Sequence, residues 1–229
     1  DSRSLLAKVT DDIDISNEAC PFMAFREGHI CGAPARLFRI SFSGELAYEV
    51  NVPADYGYAV WEKLMQAGKD FDIAPYGTEA MGIMRIEKGH IVGGELNGRT
   101  TAADLGFEKM LSSKKRFNGD VLKDRPALVD EDRKQLVGLK PVDGVSKLPR
   151  GAQLVKDPNA PRPVIMQGEV TSQCESPNIG GPIGLGILTN GRARMGERLI
   201  AASPLTDTFV EVEVCAPVFI DPEGERLRG

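Results

Sequence analysis

A surplus of basic residues is the first thing that this sequence lacks. Its 229 residues include 28 Lys and Arg against 33 Asp and Glu, so the formal net charge is −5 at pH 7. Proteins that bind nucleic acid or an anionic membrane surface neutralise phosphates with a basic excess or a basic patch. We therefore expect neither nucleic acid nor a membrane among the partners of this chain.

Long apolar runs are also missing. No stretch approaches the ~18 unbroken apolar residues of a membrane helix, and the opening DSRSLLAKVTDDID has neither the basic start nor the apolar core of a signal peptide. The sequence therefore predicts a cytoplasmic protein. Because Asp1 leads directly into the amphipathic pattern of a helix, we expect the chain to be a fragment of a longer protein.

Cysteine and histidine are sparse, and their spacing does not suggest a metal site. The four cysteines form no CxxC pair, and the two histidines are far apart; they are Cys20, Cys31, Cys174, Cys215, His29 and His90. This spacing favours structural thiols over metal ligands. The GxSxG, HExxH, GxGxxG and P-loop lysine motifs are absent too. We predict no metal ligand and no catalytic residue in this chain.

The first half of the chain alternates helices with short strands. Apolar spacing predicts a helix at the start and two strands, REGHICG and PARLFRISF, joined by a turn at Gly32. The second strand is expected to be interrupted by a bulge or bend at Ser43-Gly44-Glu45 and to resume in AYEVNVP. Helical spacing returns over residues 55–67, a short strand is predicted in FDIAPYG, and another helix over residues 78–87. This order is that of an incomplete ferredoxin-like unit whose first strand is missing.

A turn-rich stretch with one short helix, a helical bridge, leads from this unit to a region with a different pattern. From about residue 134, six short alternating runs are separated by Pro and Gly turns, which predicts an antiparallel β barrel or jelly roll. We therefore predict an α+β fold with a first domain over residues 1–130 and a carboxy-terminal β domain over residues 131–229.

Five runs occur in an order that resembles a known family. They are RISFSGELAYEVNVP (residues 39–53), MRIEKGH (84–90), LNGRTTAADLGF (96–107), KKRFNG (114–119) and GEVTSQCESP (168–177). Together they resemble the aminomethyltransferase family, to which the T protein of glycine cleavage belongs. GTEAM, GRTTAADLG and PVFIDPEGERLRG resemble more specifically the carboxy-terminal part of the alpha subunit of heterotetrameric sarcosine oxidase.

The resemblance implies a module that binds tetrahydrofolate. In the similar family an aromatic residue, commonly Tyr, packs against the pterin and a carboxylate holds it; these positions fall on Phe42 and Glu49. A carboxylate can accept two parallel hydrogen bonds from the pterin amino group and the adjacent ring N–H, and an aromatic face can stack on the ring. The alternative is structural, with Glu49 a solvated strand residue paired to Lys or Arg and Phe42 a core residue.

Three further residues are carried over from the same resemblance. Arg85 lies in a run that matches the family's LRLEAG, and a structural ion pair at the helix end is the alternative. Thr171 and Ser172 match small hydroxyl residues in a loop near the folate tail. Met81 stands where the family has a pterin-facing arginine, so one polar contact is missing or supplied elsewhere. The family's catalytic aspartate has no match here and is expected before residue 1.

The function that the resemblance implies is transfer of a formaldehyde-level carbon from oxidised sarcosine to tetrahydrofolate, giving 5,10-methylenetetrahydrofolate and glycine. Flavin and NAD are expected only in missing parts of the protein or in partner subunits. Other sarcosine oxidase subunits are the expected partners, and the isolated chain is expected to be inactive. Two alternatives stay open: a regulatory relative that binds folate without transferring carbon, and a structural docking half of a multisubunit oxidase.

Overall fold

The computed structural model describes residues 1–130 and 132–229, and their contacts divide the chain into two compact units. The first unit comprises Asp1–Met84 and Asp221–Gly229, and the second comprises Arg85–Ile220. The predicted α+β class is confirmed, since helices accompany two antiparallel sheets and one of these closes into a barrel. The domain boundary between residues 130 and 131 stays a prediction.

A three-stranded antiparallel sheet forms the centre of the first unit, in the order β1 (Phe25–Ile30), β2 (Ala33–Phe38), β3 (Glu49–Asn51). The predicted hairpin is confirmed, and its turn residues Cys31 and Gly32 have φ values of 57° and 78°. Two left-handed residues match the twist of the flanking strands. Strand alternation places Leu37 and Val50 on the face that packs against the apolar core of this unit.

The helices of the described residues are short: α1 (Ser2–Leu6), α2 (Gly57–Ala67), α3 (Thr78–Glu87) and α4 (Glu225–Arg228). The helices expected over residues 55–67 and 78–87 are confirmed, although a 3₁₀ turn forms the start of the former at Ala54–Tyr56. In α2, the side chain of Val60 is buried and that of Leu64 packs against the sheet core. Among the described residues no helix is long and apolar enough to cross a membrane.

The strand predicted in FDIAPYG is wrong. A 3₁₀ turn over Gly68–Phe71 ends at Asp72, whose backbone is left-handed at φ 51°, and no strand follows before α3. A left-handed residue turns the chain away from an extended path, and Pro75 lacks the N–H that a ladder needs. The apolar residues in this segment therefore had the composition of a strand but not the backbone of one.

Six strands close into an antiparallel barrel in the second unit, as predicted. They are β4 (Lys134–Pro141), β5 (Gln153–Val155), β6 (Gly168–Ser176), β7 (Gly181–Thr189), β8 (Arg198–Ser203) and β9 (Thr208–Cys215). Their order around the barrel is β4-β7-β6-β5-β8-β9. Inward side chains such as Leu139, Leu154 and Val212 are fully buried and fill the interior. Closure leaves no free sheet edge, and of the two predicted alternatives the barrel is the one observed.

In the described part of the bridge before the barrel, the helical segments are 3₁₀ turns at Glu108–Met110, Asp120–Asp124 and Pro126–Leu128, where one short α-helix was predicted. Capping is nevertheless present upstream of them. The backbone N–H of Thr101 donates to Asp104 Oδ2 at 2.7 Å, and the N–H of Asp104 donates to Thr101 Oγ1 at 3.2 Å. Both backbone N–H groups find side-chain acceptors within this one turn, so they need no helical carbonyl partner. The chain can therefore leave the helical conformation directly after the turn.

Candidate functional site

Glu49 begins β3 and faces away from the core of the first unit. Its neighbour Val50 packs inward, and strand alternation turns the Glu49 side chain to the opposite face. The residue is exposed, and among the described residues no hydrogen bond or ion pair engages its carboxylate. The expected alternative of a Lys or Arg partner is therefore not observed, and both carboxylate oxygens are available to a ligand.

Two phenylalanines lie in line with Glu49 across the outer face of the sheet. The strand register pairs Glu49 with Phe38 on β2, and Phe38 with Phe25 on β1. The rings of Phe25 and Phe38 stack with centroids 5.6 Å apart and an interplanar angle of 25°. Side chains directly opposite on neighbouring strands have Cβ atoms about 4.5–5.5 Å apart, so a flat ligand held by Glu49 would meet Phe38.

The loop of residues 41–48 forms most of the connection from β2 to β3 and carries Phe42. The Phe42 side chain is 39% exposed, so it is not the core residue of the structural alternative. Ser41 Oγ accepts the backbone N–H of Gly44 at 3.0 Å, and Gly44 has a φ of 85°, a conformation that glycine adopts without strain. At the other end of the loop, Tyr48 packs against the core and its hydroxyl accepts Arg3 Nε at 3.2 Å.

Arg85, Thr171 and Ser172 belong to the second unit and are buried there. Arg85 Nη2 donates to Ser172 Oγ at 2.7 Å, and Ser172 Oγ donates to Glu95 Oε1 at 2.6 Å. Arg85 Nη1 lies 3.4 Å from Glu95 Oε2 and 3.2 Å from the carbonyl oxygen of His90. The structure thus brings Arg85 and Ser172 together, with Glu95 as the third member of the cluster.

Glu95 is fully buried, yet the pKa of its carboxyl is lowered in this cluster. Burial alone would raise the pKa of its carboxyl, yet the hydrogen bond from Ser172, the backbone N–H of Val92 at 2.9 Å and the charge of Arg85 outweigh burial and lower the pKa. A buried ion pair whose remaining oxygens and protons are hydrogen-bonded is the arrangement in which such pairs are tolerated. The cluster ties the loop after α3 to barrel strand β6.

Thr171 lies in a β-bulge of β6, where the register with β7 shifts between Val170 and Ser172. The bulge disturbs the usual alternation, so two consecutive hydroxyl residues are both buried. Thr171 Oγ1 donates to the carbonyl oxygen of Leu185 at 3.0 Å. The hydroxyls of Thr171 and Ser172 are thus both occupied by protein groups, and their roles as folate contacts stay predictions.

Glu87 leads to a different set of partners from Arg85, as their spacing on α3 predicts. Its Oε1 accepts Ser176 Oγ at 2.5 Å, and its Oε2 accepts Asn178 Nδ2 at 2.9 Å. The helix-end ion pair that was the alternative for Arg85 does exist, but its carboxylate comes from Glu95.

Both halves of the chain match models of known protein domains. The family model of the GCVT N-terminal domain matches residues 1–115, and that of the glycine cleavage T-protein C-terminal barrel domain matches residues 134–221. The chain belongs to the glycine cleavage T-protein family. The barrel of the second unit is the C-terminal barrel that the second family model describes.

Relatives of this T-protein family member include two oxidase subunits. "Sarcosine oxidase subunit alpha" of Rhizobium meliloti is 43% identical over 229 residues, which is 99% of this chain and 23% of that protein. The subunit of the same name from Corynebacterium sp. strain U-96 is 44% identical over 232 residues, 100% of this chain and 24% of that protein. The chain thus spans about a quarter of the length of these curated relatives.

One solved structure supports the fold of this T-protein family member. It is the glycine cleavage system aminomethyltransferase T from Bartonella henselae, with a TM-score of 0.73 and 21% sequence identity. The match covers 95% of this chain and 56% of that protein, so the arrangement of helices and strands is shared.

Two residues of interest in this T-protein family member were missed by sequence reasoning. Phe38 precedes the recognised run, and only the pairing of β2 with β3 reveals that it lies beside Glu49. Glu95 follows two glycines in a turn-rich segment, where a carboxylate is ordinarily solvated. A signal for Glu95 existed in Arg85, because a buried arginine requires an acceptor nearby.

The thiols of this T-protein family member are all free, and two of them are strongly shifted. Burial raises the pKa of the Cys174 thiol to about 12 and that of Cys215 to about 11. Thiols protonated at neutral pH are weak nucleophiles and weak metal ligands. Within residues 1–130 and 132–229, no cluster of His, Cys, Asp and Glu could hold a metal ion.

Proposed function

We propose that this chain is the folate-binding module of a sarcosine oxidase and that it presents tetrahydrofolate to the one-carbon unit of the oxidised methylamine. One observation carries the proposal: the exposed Glu49 carboxylate, which no described group engages, stands where the family resemblance expects the pterin ligand. The similarity of the whole chain to two sarcosine oxidase alpha subunits supports the choice of an oxidase.

Binding of the pterin follows from the chemistry of the outer sheet face. The two oxygens of Glu49 accept the pterin amino group and the adjacent ring N–H, a fork of two parallel charge-assisted hydrogen bonds. Phe38, directly opposite on β2, and the half-exposed Phe42 supply aromatic surface against which a flat ring packs and from which water is excluded. The family resemblance also makes Arg85, Thr171 and Ser172 proposed folate contacts, Thr171 and Ser172 near the folate tail.

The proposed reaction is a transfer to the nitrogen atoms of tetrahydrofolate. N5 attacks the iminium carbon of oxidised sarcosine, the bond from that carbon to the glycine nitrogen breaks, and N10 closes the five-membered ring. The two protons that leave N5 and N10 pass to the nitrogen of the departing glycine. Glu49 and the phenylalanines contribute by orientation, which converts a bimolecular encounter into a reaction within one complex.

The oxidation that supplies the iminium is assigned to other parts of the protein. Every strand pairing that the structure describes is antiparallel, whereas the fold that commonly holds flavin or NAD is built on parallel strands. The described residues do not fit these cofactors, and we place them in other segments or in partner subunits of a hetero-oligomeric oxidase. The chain alone is expected to produce no peroxide from sarcosine.

The proposal is tested by calorimetric titration of tetrahydrofolate into the full chain and into its Glu49→Gln variant. Glutamine keeps the size of the side chain but offers one acceptor oxygen. A hydrogen bond to a charged group contributes about 1.5 to 3 kcal/mol, so the variant should bind about ten- to a hundredfold more weakly. Because Glu49 is exposed, the melting temperature of the Glu49→Gln variant should differ little from that of the parent.

The matched control is Glu27→Gln, which removes another exposed carboxylate from the same face of the same sheet. It should bind tetrahydrofolate as the parent does. Equal affinities of the Glu49→Gln variant and the parent would contradict the role of Glu49. Binding without any carbon transfer in the assembled oxidase would favour the regulatory relative, and absence of binding there would favour the docking role.

A further inference from the structure

Arg39 is a buried cation whose partners are all uncharged. It directly follows the last residue of β2, is fully buried, and pairs with no carboxylate of the described residues. Its Nη1 donates to Asn17 Oδ1 at 3.1 Å and to the carbonyl oxygen of Cys20 at 3.3 Å. Its Nε has no hydrogen-bond partner. A guanidinium buried in this way is costly, which calls for a reason in the surrounding structure.

The same guanidinium binds the segment of residues 221–229, which we call the tail. Arg39 Nη2 donates to the carbonyl oxygen of Arg228 at 2.8 Å and to that of Leu227 at 3.3 Å. The tail is fastened at two further points: Asn17 Nδ2 donates to the carbonyl oxygen of Gly229 at 2.7 Å, and Arg226 pairs with Glu45 at 2.9 Å. One side chain thus joins strand β2, the segment around Asn17 and the tail.

The loop of residues 41–48 is the element that these contacts enclose. Arg39 precedes the loop, and its guanidinium lies over the ring of Tyr48, the last loop residue, at 5.3 Å from the ring centroid. The middle of the loop is held from the tail side through Glu45, and Ser2 Oγ donates to the carbonyl oxygen of Leu46 at 2.6 Å. The loop contains Phe42, and Glu49 follows it directly.

We propose that Arg39 is a positioning residue for the pterin site: it clamps the tail onto the loop of residues 41–48 and thereby sets the positions of Phe42 and Glu49. Arg39 itself touches no ligand, because its guanidinium is fully buried under the tail. The inference rests on the proposed function for its consequence in folate binding, whereas the clamp is a property of the chain without ligand.

Hydrogen exchange of the full chain, followed residue by residue, tests the clamp. In Arg39→Met, amide exchange in residues 41–48 and in the tail should rise together by about tenfold or more, while exchange in the barrel strands stays at the parent rate. Tetrahydrofolate affinity should fall by about tenfold or more with it. Arg39→Lys keeps the charge but lacks the planar fork, so it should restore part of both.

The matched control is Arg36→Met, since Arg36 lies on β2, three residues before Arg39, but is exposed and paired with Glu27 at 2.8 Å. It should leave exchange of the loop and of the tail unchanged. An even rise in exchange throughout the first unit of Arg39→Met, with β1 and β2 affected as much as the loop, would mean a merely structural role and overturn the proposal. Unchanged exchange in the loop would overturn it as well.

A second variant keeps the test decisive if Arg39→Met does not fold. Arg226→Gln removes the ion pair between the tail and Glu45. The side chains of Arg226 and Glu45 are both more than half exposed. Exchange in the tail and in residues 41–48 should rise together, by less than in Arg39→Met. Opening of the tail with no change in the loop would contradict the clamp.

The two proposals fail in different ways. If the parent does not bind tetrahydrofolate, the proposed function is wrong, and if the parent and Glu49→Gln bind it equally, the role of Glu49 is wrong. In both cases hydrogen exchange alone decides whether Arg39 clamps the loop. If Glu49→Gln weakens binding while Arg39→Met binds as the parent does, the proposed function stands and the positioning role of Arg39 is wrong.

Discussion

At the scale of the residue, Glu95 is a charged group whose removal is expected to destabilise the protein strongly. It has no exposed surface, and its carboxylate accepts Ser172 Oγ and the N–H of Val92 beside the guanidinium of Arg85. Breaking a buried pair by removing one partner is strongly destabilising, because the other charge stays buried without compensation. Glu49 is the contrasting case, since water already solvates its carboxylate and its removal leaves no stranded partner.

We predict that Glu95→Gln lowers the free energy of unfolding at pH 7 by about 3 to 5 kcal/mol. The pKa of Glu95 in the folded protein is below its ordinary value of 4.5, so its stabilising effect is present above that pH and is lost as the pH falls through the lowered pKa. The stability difference between parent and variant should therefore shrink on acidification.

The measurement is the midpoint of urea unfolding at pH 7 and below about pH 4 for the parent, Glu95→Gln and the exposed control Glu27→Gln. The control should differ little from the parent at either pH, because surface ion pairs contribute about 0 to 1 kcal/mol. A constant gap between the parent and Glu95→Gln over the whole pH range would contradict an ionised Glu95.

At the scale of the element, the strand register of the three-stranded sheet decides which side chains lie beside Glu49. Pairing of β2 with β3 places Phe38 beside Glu49, and a slip of one residue would turn Leu37 outward instead. The register is held by the inner face, where Leu37 and Val50 pack against the core. The side chains of the proposed binding face are therefore set by how the opposite face is buried.

We predict that Phe38→Ala weakens tetrahydrofolate binding by about two- to tenfold, because an aromatic pair contributes about 0.5 to 1.5 kcal/mol beyond the area that it buries. Phe25→Ala serves as the control, since Phe25 stacks on Phe38 but lies one strand further from Glu49. Calorimetric titration of both variants checks this. A greater loss in Phe25→Ala than in Phe38→Ala would contradict the proposed position of the pterin.

At the scale of the whole molecule, each of the two units has an apolar core of its own. One contains Leu37 in the first unit and the other contains Leu154 in the barrel, and both side chains are fully buried. Units with their own cores can unfold as separate cooperative transitions, in which case a single melting temperature is not defined. The single tryptophan, Trp61 on α2, reports on the first unit alone.

We predict that Leu154→Ala lowers the stability of the barrel by about 2 to 5 kcal/mol, as expected for a cavity in a packed core. The transition seen by far-ultraviolet circular dichroism should shift, while the Trp61 fluorescence transition shifts less. Leu37→Ala should do the reverse. Equal shifts of both signals in both variants would mean that the chain unfolds as one unit.

The sequence by itself determined most of the helices and strands and singled out Glu49 as a candidate. Helices over residues 55–67 and 78–87 and all six barrel strands were predicted, because apolar periods of 3.6 and 2 are local properties of the chain. Glu49 was found through the resemblance of its run to a family. The strand in FDIAPYG was predicted wrongly, because the left-handed backbone at Asp72 leaves no mark on the apolar pattern.

Only the tertiary structure decided which distant side chains meet. Arg85 and Ser172 are 87 residues apart, and a bulge in β6 buries both Thr171 and Ser172. Arg39 binds carbonyl groups of the tail 188 and 189 residues further along the chain. Such pairings depend on strand register and chain closure, which the whole core selects and which no local period encodes.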